Sequence, residues 1–391
     1  MATQEHHHNI IIKSHINPAH PWIFQKMVYK PQHKIAPGTV VNVTDQTGKW
    51  LARGFYNRHS RICVRVLTTD ANEAIDHNFF RHKIIKALLF RQEVLNIEKI
   101  SDSYRIVHSE ADGLSGLVID RFSNILVVEF FAAGMYRLRE TIFSILTDLI
   151  PNSICYYFAQ QHVCKQESFN CVSPQPPKPV IINEHGLRFY VAPGSKHKTG
   201  FFLDQRDNRK LISQYCINKK VLDLCCNTGG FSIYAKIKGS AQEVTAIDID
   251  EEAIDIARQN AHLNQAKIHF VQADVYTWLR DTITKCEQYD VVILDPPKMT
   301  RNRQQLHEAL KKYYDINRLA MHVVKPGGIL LTCSCTGLVS ESDFLECLRR
   351  AAWHAKRTLQ IFRISGAAPD HPFLINVPEG RYLKAVYAHI L

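Results

Sequence analysis

The chain has 391 residues, 46% of them hydrophobic and 22% charged, which is typical of a soluble globular protein with two or three domains. Lys and Arg number 48 against 37 Asp and Glu, and the resulting net charge of +11 favours a polyanionic partner. The 11 cysteines include no CxxC pair, which argues against a disulfide framework or a zinc ribbon and indicates a reducing cytoplasm with no metal site.

The first 12 residues lack the long apolar segment of a signal peptide, and no apolar stretch of the sequence is long enough to span a bilayer. We therefore expect a protein that is neither exported nor membrane-inserted. Short β-like runs at 38–44, 46–54 and 62–67 are separated by turn signals. This pattern predicts a small β-barrel as the first domain, 1–73.

The predicted barrel mixes basic and aromatic side chains, a combination suited to phosphate contacts and base stacking. In the alternative interpretation, the aromatic residues belong to the core and the cations face solvent. A second basic cluster, at 196–198, would follow an RNA backbone through phosphate contacts. The predicted RNA-binding residues are Trp50, Arg53, Arg58, Arg61, Lys196 and Lys198.

The middle of the chain, 74–183, has the pattern of an α+β domain. Apolar and basic residues recur at helical spacing over 76–96, and a second helix is predicted over 136–149. The region 107–131 predicts a pair of strands around the turn Asp112-Gly113-Leu114, and a further strand is predicted at 154–158. The Pro-rich stretch 174–179 cannot form a central strand and is the clearest linker in the sequence.

The third predicted domain, 184–391, alternates apolar strands with helices. This alternation predicts an α/β fold with a doubly wound, Rossmann-like parallel sheet. Ligands of such sheets bind at the carboxyl ends of the strands, so the residues at those ends are the candidates for function. Strands are predicted at 220–225, 244–248, 268–271, 291–294 and 329–333, with helices such as 251–264 and 304–324 between them.

A glycine-bearing loop, Cys225-Cys226-Asn227-Thr228-Gly229-Gly230-Phe231, follows the first of these strands. Gly229 and Gly230 let the backbone turn into a helix close to a ligand, but the loop is not GxGxxG, so a dinucleotide site is disfavoured. Asp248 ends the second strand and suits a ribose, whereas Asp274 follows the third and suits an adenine amino group. Each Asp alone is equally consistent with a helix N-cap. In this order, the three features predict a site for S-adenosylmethionine.

The fourth strand ends in Asp295-Pro296-Pro297-Lys298, where the prolines stiffen the loop and fix a carboxylate beside the expected methyl position. In related methyltransferases such a loop holds a planar nitrogen-bearing target. The fifth strand ends near Cys333 and Cys335, and a cysteine that adds to C6 of cytosine makes C5 nucleophilic. Asp295 would hold or deliver the proton at N3. Periodicity does not separate the two thiols, but Cys335 lies nearer the ligand-binding edge, so we predict that it is the nucleophile.

Further motifs accompany the strand-end residues described above. They are 20–24 and 48–54 in the predicted barrel, 110–117 and 120–121 in the middle domain, and 197–206, 334–337, 370–372 and 378–384 in the third domain. Over nearly its whole length the chain resembles the bacterial large-subunit ribosomal RNA cytosine-C5 methyltransferase I family. The resemblance implies a PUA-like barrel, a central α+β domain and a class I S-adenosylmethionine-dependent methyltransferase domain. It also implies that 5-methylcytidine is made in large-subunit ribosomal RNA through a covalent adduct between Cys335 and cytosine C6.

The resemblance further implies a set of cofactor-binding residues. They are Asp204, Gln205, Arg206, Asp223, Thr228, Gly229, Gly230, Phe231, Asp248, Asp274 and Asp295. The chain departs from wider families of RNA cytosine-C5 methyltransferases at Lys298, where those families carry a second cysteine. The group that removes the C5 proton is therefore left open, and Lys298 and a water are the candidates.

Three other functions compete with cytosine methylation. The same fold and loop suit methylation of a guanine or adenine nitrogen in RNA, which needs no cysteine. A non-catalytic RNA-binding factor in ribosome assembly is a second alternative, and a nicotinamide oxidoreductase is the least favoured because GxGxxG is missing. The exact nucleotide, the choice between naked RNA and an assembling particle as partner, and the choice between a monomer and a homodimer are left open.

Overall fold

The structure is a computed structural model that describes residues 8–13, 20–194 and 200–391. The chain divides into two compact units. Unit 1 comprises Met1–Val180, Val191–Gly200 and Asp370–Gly380, and unit 2 comprises Ile181–Tyr190, Phe201–Pro369 and Arg381–Leu391. The division into three domains at 73 and 183 stays a prediction. In the described ranges, no helix is both long and apolar enough to cross a membrane.

Unit 1 begins with a five-stranded sheet in the order β1-β3-β4-β5-β2. Ile12 pairs antiparallel with Val28, and Lys13 N donates to Met27 O at 2.8 Å, so backbone hydrogen bonds join the two edges of the sheet. This contact gives the predicted small barrel, whose core includes the alternate residues Val41 and Val43 of β3 and the adjacent residues Cys63 and Val64 of β5. The strands are β1 (His8–Ile11), β2 (Trp22–Phe24), β3 (Thr39–Thr44), β4 (Trp50–Tyr56) and β5 (Ile62–Thr68).

The rest of unit 1 is a four-stranded sheet, β6-β7-β8-β9, packed with helices. Asp76 caps its first helix by accepting a hydrogen bond from Phe79 N at 2.9 Å, and that helix continues as a π-helical turn over Phe90–Val94. The elements are α1 (His77–Leu89), β6 (Ser103–His108), β7 (Leu117–Phe122), β8 (Ile125–Phe130), α2 (Ala133–Arg137), α3 (Arg139–Leu149), β9 (Ile154–Phe158) and α4 (Gln161–Glu167).

The strand pair expected around Asp112-Gly113-Leu114 is present, since β6 and β7 pair antiparallel on either side of 109–116. Ser109–Asp112 forms a 3-10 turn that ends at Gly113, where φ is +70°. A second and tighter hairpin turn, not predicted from the sequence, lies at 123–124 between β7 and β8. Ser123 adopts φ of +54° there, and the turn residues Ser123-Asn124 are a weaker signal than a turn that contains glycine. Asp370 also belongs to unit 1, since its Oδ2 accepts a hydrogen bond from Arg105 N at 2.9 Å.

Unit 2 is built on a seven-stranded sheet in the order β14-β13-β12-β15-β16-β18-β17, preceded by the hairpin of β10 and β11. The hairpin and the first half comprise β10 (Val180–Glu184), β11 (Leu187–Val191), α5 (Arg206–Ser213), β12 (Lys220–Leu224), α6 (Gly230–Ile233), β13 (Glu243–Asp248), α7 (Glu251–Leu263), β14 (His269–Gln272) and α8 (Val275–Thr284). The second half comprises β15 (Tyr289–Leu294), α9 (Leu306–Val323), β16 (Val324–Ser334), α10 (Glu341–Ala355), β17 (Leu359–Ser365) and β18 (Lys384–Ile390).

The predicted doubly wound parallel sheet is confirmed by β12 to β16, which pair in parallel, whereas β18 is antiparallel to both of its neighbours. From β12 the chain builds outward through β13 and β14, then returns to place β15 on the other side of β12. In open α/β sheets this reversal leaves a crevice at the carboxyl ends of the two central strands. The crevice is therefore expected beside Leu224 and Leu294.

A buried ion pair fixes the start of α5 against the β10–β11 hairpin. Arg209 Nη2 donates to both carboxylate oxygens of Glu184, at 2.7 and 2.8 Å, and both side chains are almost completely buried. Tyr234 Oη donates to the same carboxylate at 3.0 Å, and the guanidinium lies 4.6 Å from the centre of the Phe201 ring. The pair is thus bidentate and hydrogen-bonded on several sides, the arrangement that a buried charge requires.

Replacing Glu184 by Gln is therefore expected to lower the free energy of unfolding by about 3–5 kcal/mol, because it leaves the Arg209 charge buried without its counter-ion. Urea unfolding followed by circular dichroism measures the change. The matched control is Asp255→Asn, which removes the partner of Arg258 in an exposed ion pair and should have little effect. Equal effects of the two substitutions would contradict the structural role of the Glu184–Arg209 pair.

Candidate active site

The carboxyl ends of the parallel strands meet at one edge of the sheet in unit 2. Leu224 of β12 is in register with Ile247 of β13 and with Leu294 of β15. Leu294 pairs in turn with Thr332 of β16. The residues that follow these positions therefore lie side by side across the sheet: Cys225, Asp248, Asp295 and Cys333.

The loop after β12 turns sharply into α6. Cys225 and Asn227 have φ of +63° and +48°, a left-handed conformation that non-glycine residues adopt mainly where the surroundings impose it. Asn227 N donates to Asp248 Oδ2 at 2.8 Å, so Asp248 holds the loop as well as facing the crevice edge. Gly229 has φ of +80°, and a Cβ there would lie 3.2 Å from Ala257 Cβ. A larger residue at Gly229 would therefore be strained by the backbone conformation and would pack tightly against α7.

Two carboxyl groups in the site have raised pKa values. Asp223 is completely buried on β12, and burial raises its pKa to about 7 despite a 2.5 Å hydrogen bond from Ser232 Oγ. Asp295 keeps some exposed surface, but enclosure of its carboxyl group, followed by the nearby charges of Asp204 and Asp223, raises its pKa to about 7. Such shifts mark candidate functional groups when they occur together in a crevice.

Four of the five acidic groups predicted to bind the cofactor act electrostatically on the thiol of Cys225. Burial raises the pKa of this thiol well above its usual range, and so do the charges of the acidic groups. These groups are Asp248, Asp295, Asp223 and Asp274, in order of decreasing effect. Asp274 is exposed and caps α8, since its Oδ1 accepts from Thr277 N at 2.9 Å. An acidic cluster of this kind favours a cationic ligand.

Asp204 and Gln205 approach the same site from the turn before α5. Tyr382 Oη donates to Asp204 Oδ2 at 2.6 Å, while Asp204 Oδ1 is buried and makes no hydrogen bond within the described part of the chain. Gln205 is buried, and its Oε1 accepts from Asn208 Nδ2 at 2.6 Å, so its amide nitrogen faces away from Asn208. A hydrogen bond from the Gln205 side chain acts to lower the pKa of Asp295. Arg206 is buried at the start of α5.

The two thiols near the end of β16 lie in different environments. Cys333 is completely buried beside Leu331 and Ala385, and burial raises its pKa well above the usual range. Cys335 is half-buried and lies just past the strand, with its Sγ 3.9 Å from Pro296 O. The structure therefore brings Cys335, rather than Cys333, to the loop that carries Asp295. Lys298 is exposed on that loop.

Thr336 connects the two loops that carry these groups. Its Oγ1 accepts a hydrogen bond from Met299 N at 3.1 Å and lies 2.9 Å from the hydroxyl of Tyr313 on α9. Because Thr336 follows Cys335 directly, these contacts fix the thiol relative to the Asp295–Lys298 loop. Thr336 belongs to the motif 334–337, but neither its spacing nor its residue type indicates this role.

Comparison with known proteins identifies the family. A model of S-adenosylmethionine-dependent methyltransferases matches residues 111–373, and a PUA-like domain matches residues 14–69. Ribosomal RNA large subunit methyltransferase I of Klebsiella pneumoniae is 39% identical over 380 residues, covering 95% of this chain and 94% of that protein. The chain belongs to this methyltransferase I family. It is therefore an S-adenosylmethionine-dependent methyltransferase with a PUA-like N-terminal domain.

Two further comparisons agree with the assignment. The methyltransferase I of Escherichia coli O127:H6 is 38% identical over 380 residues, covering 95% of this chain and 96% of its own length. The crystal structure of SMU.776 complexed with SAH has a TM-score of 0.84 at 18% identity and covers 98% of this chain and all of that chain. The structural likeness shows that the fold is shared, whereas the sequence relatives establish the family.

The methyltransferase I fold requires a place for S-adenosylmethionine, and the residues at the crevice fit it. Asp223 Oδ1 is buried and has no hydrogen-bond partner within the described ranges, which is costly unless a ligand donates to it. The left-handed conformation of Gly229 turns the loop sharply from β12 into α6 at the crevice edge. The acidic cluster supplies charge complementary to the sulfonium and ammonium groups of the cofactor.

The predicted RNA-binding residues of the barrel form two groups in unit 1. On β4, Arg53 lies 6.0 Å from the centre of the Trp50 ring, and both side chains donate to Asn42 Oδ1. Arg58 and Arg61 are exposed in the β4–β5 connection. Lys196 and Lys198 lie outside the described residues. Trp50 is only half-buried, which does not favour the alternative interpretation that this aromatic side chain belongs to the core.

The raised pKa values at this site make cofactor binding depend on pH. Asp223 and Asp295, both with pKa values of about 7, hold protons below that pH. A cationic cofactor stabilises the ionised form of Asp223, whose unpartnered oxygen faces the crevice, so its binding releases protons in acid solution. We expect the affinity for S-adenosylmethionine to rise with pH from about 5 to about 7, by at most roughly tenfold per pH unit, and then to level off.

Isothermal titration calorimetry in buffers of different ionisation enthalpy measures both the affinity and the protons released. The control is Asp223→Asn, which stays neutral at every pH and should bind the cofactor more weakly with a smaller pH dependence. An affinity that is the same at pH 5.5 and pH 7.5, with no proton release, would show that Asp223 does not face the bound cofactor.

Proposed function

We propose that this enzyme transfers the methyl group of S-adenosylmethionine to C5 of a cytidine in large-subunit ribosomal RNA, through a covalent adduct between Cys335 and C6. The observation that carries the proposal is the half-buried Cys335 thiol lying against Pro296 O of the loop that holds Asp295. A thiol is not needed for methylation of a base nitrogen, whereas C5 of cytosine requires a nucleophile at C6. The relatives named for large-subunit ribosomal RNA supply the substrate class.

The reaction begins when the Cys335 thiolate adds to C6 and the C5–C6 double bond opens, which sends electron density toward N3 and leaves C5 nucleophilic. Asp295, whose pKa of about 7 keeps it partly protonated at neutral pH, donates a proton at N3 and offsets the developing charge. S-adenosylmethionine supplies the electrophilic methyl group that C5 takes. A base, for which Lys298 or a water is proposed, removes the C5 proton. Expulsion of the thiolate restores the C5–C6 double bond, and N3 returns its proton to Asp295, which leaves neutral 5-methylcytosine.

The cofactor-binding set is proposed to act as follows. Asp248 accepts hydrogen bonds from the ribose hydroxyls, and Asp274 meets the adenine amino group. The unpartnered oxygens of Asp223 and Asp204 accept from polar groups of the cofactor, while Gln205 orients Asp295. Arg206 supports this turn at the start of α5, and the loop of Thr228, Gly229, Gly230 and Phe231 allows the backbone to come close.

The barrel is proposed to hold the RNA through Trp50, Arg53, Arg58 and Arg61, together with Lys196 and Lys198. The target cytidine must leave its stack, because C5 and C6 are attacked from the ring face. The proposed substrate is large-subunit ribosomal RNA, either as naked RNA or in an assembling particle. All 11 cysteines are free, which supports the proposal of a cytoplasmic protein.

A homodimer stays a prediction, supported by the exposed Ile361, Phe362 and Ile364 on the edge strand β17.

Replacing Cys335 by Ala should reduce methyl transfer by roughly a thousandfold or more while leaving RNA affinity unchanged, because only the covalent step is lost. The adduct itself is tested with a large-subunit RNA transcript containing 5-fluorocytidine. Fluorine at C5 cannot leave as a proton, so the adduct accumulates and is seen as a slower band on a denaturing gel.

The matched control is Cys333→Ala, which removes a thiol two positions away that is buried in the core. The natural protein and the Cys333 variant should form the adduct, and the Cys335 variant should not. Full methylation by Cys335→Ala would reject the covalent mechanism and favour methylation of a base nitrogen. Specific RNA binding without turnover by the natural protein would favour a non-catalytic role in ribosome assembly.

A further inference from the structure

A buried lysine lies beside the loop that carries the proposed nucleophile. Lys384 is the first residue of β18, where it pairs with Ser334, the last residue of β16, and its side chain is only 3% exposed. Lysine is rarely buried to this extent without a specific partner. The motif 378–384 contains this residue, but the chemistry proposed above gives it no role.

The ammonium group of Lys384 is fully hydrogen-bonded to backbone carbonyls. Its Nζ donates to Thr336 O at 2.9 Å, to Val339 O at 2.8 Å and to Tyr382 O at 2.9 Å. Three donated hydrogen bonds require all three protons of the ammonium form, since a neutral amine carries only two. Two of the three carbonyls belong to the segment 336–339, which follows Cys335 directly. The charged side chain therefore fixes the backbone next to the thiol.

The charged groups around Lys384 show how it interacts with Cys335. Burial lowers the pKa of Lys384 to about 8, and the negative charge of a Cys335 thiolate is the largest influence that raises it again. Arg381 and Lys298 act to lower this pKa, and Glu341 acts to raise it. Electrostatic stabilisation is mutual, so the same interaction that favours the ammonium form of Lys384 favours the thiolate form of Cys335.

Two other titratable groups interact with a Cys335 thiolate. The thiolate raises the pKa of Tyr313, which lies on α9, and also that of the buried Cys333. Both groups are neutral when protonated, so neither stabilises a thiolate by charge. Lys384 is a buried cation whose Nζ donates to the carbonyl of the residue after Cys335, whereas Lys298 and Arg381 are exposed cations.

We infer that Lys384 is a positioning residue for the methyl-transfer reaction: it holds the 336–339 backbone through two carbonyls of that segment, and its charge keeps Cys335 in the thiolate form that attacks C6. The inference rests on the nucleophilic role proposed for Cys335. A thiolate is the reactive species, and a nearby cation increases its population at neutral pH. Lys384 itself touches neither the RNA base nor the cofactor in this account.

The test measures the ionisation of Cys335 directly, without RNA or cofactor. The protein is treated with iodoacetamide at a series of pH values, and mass spectrometry with fragmentation follows alkylation at Cys335. In Lys384→Met, which keeps the length of the side chain but not its charge, the midpoint of the pH profile should rise by about one unit. Alkylation near pH 7 should then be roughly tenfold slower. Lys384→Arg restores the charge and should recover much of the rate.

The matched control is Lys325→Met, which removes the cation that pairs with Asp290 near the opposite end of β16. It should leave the Cys335 profile unchanged. A profile that is also unchanged in a folded Lys384→Met would overturn the inference, as would an Arg variant that behaves like the Met variant. Thermal unfolding and circular dichroism establish that each variant is folded.

If Lys384→Met does not fold, the natural protein alone still decides the question. Cys286 is exposed and serves as the internal reference thiol. Cys335 should be alkylated with a lower pH midpoint than Cys286, and a midpoint equal to or above that of Cys286 would overturn the inference. Because no methyl transfer is measured, the outcome is independent of whether cytidine proves to be the substrate.

Discussion

The hydrogen-bond register of β12 with β13 and β15 determines where every group of the site lies. Leu224 is paired with Ile247 on one side and Leu294 on the other, so the loops after three strands leave the sheet at the same level. Asp295 N extends this ladder by donating to Leu224 O at 3.3 Å. If one of these strands shifted its pairing register by one residue, each of its side chains would turn to the opposite face of the sheet, and Asp248 would be separated from Asp295.

The site has two halves of opposite charge. On the cofactor side, acidic groups surround Cys225, and burial keeps Asp223 and Asp295 near the point of ionisation at neutral pH. On the thiol side, Lys384 and Lys298 lie near Cys335. This polarity suits a cationic methyl donor on one side and an anionic nucleophile on the other, with the base between them. Low solvent access strengthens both interactions relative to water.

Much of this arrangement could be predicted from the sequence, because strand ends, glycine turns and capping residues are local signals. The parallel strands, the loop at Gly229 and the position of Cys335 all follow from such signals. The Glu184–Arg209 pair and the contacts of Lys384 join residues distant in sequence, and nothing near either member indicates its partner. The hairpin at Ser123 was missed for a related reason, since a serine there adopts a conformation that usually requires glycine or asparagine.

The most direct test of the account is nucleoside mass spectrometry on unmodified large-subunit ribosomal RNA, naked or in ribosomal particles, after incubation with the protein and isotope-labelled S-adenosylmethionine. The account predicts that the label appears in 5-methylcytidine. Label in another nucleoside would contradict it by making the thiol chemistry incidental, and no label on either form of the RNA would contradict the assignment of large-subunit ribosomal RNA as the substrate.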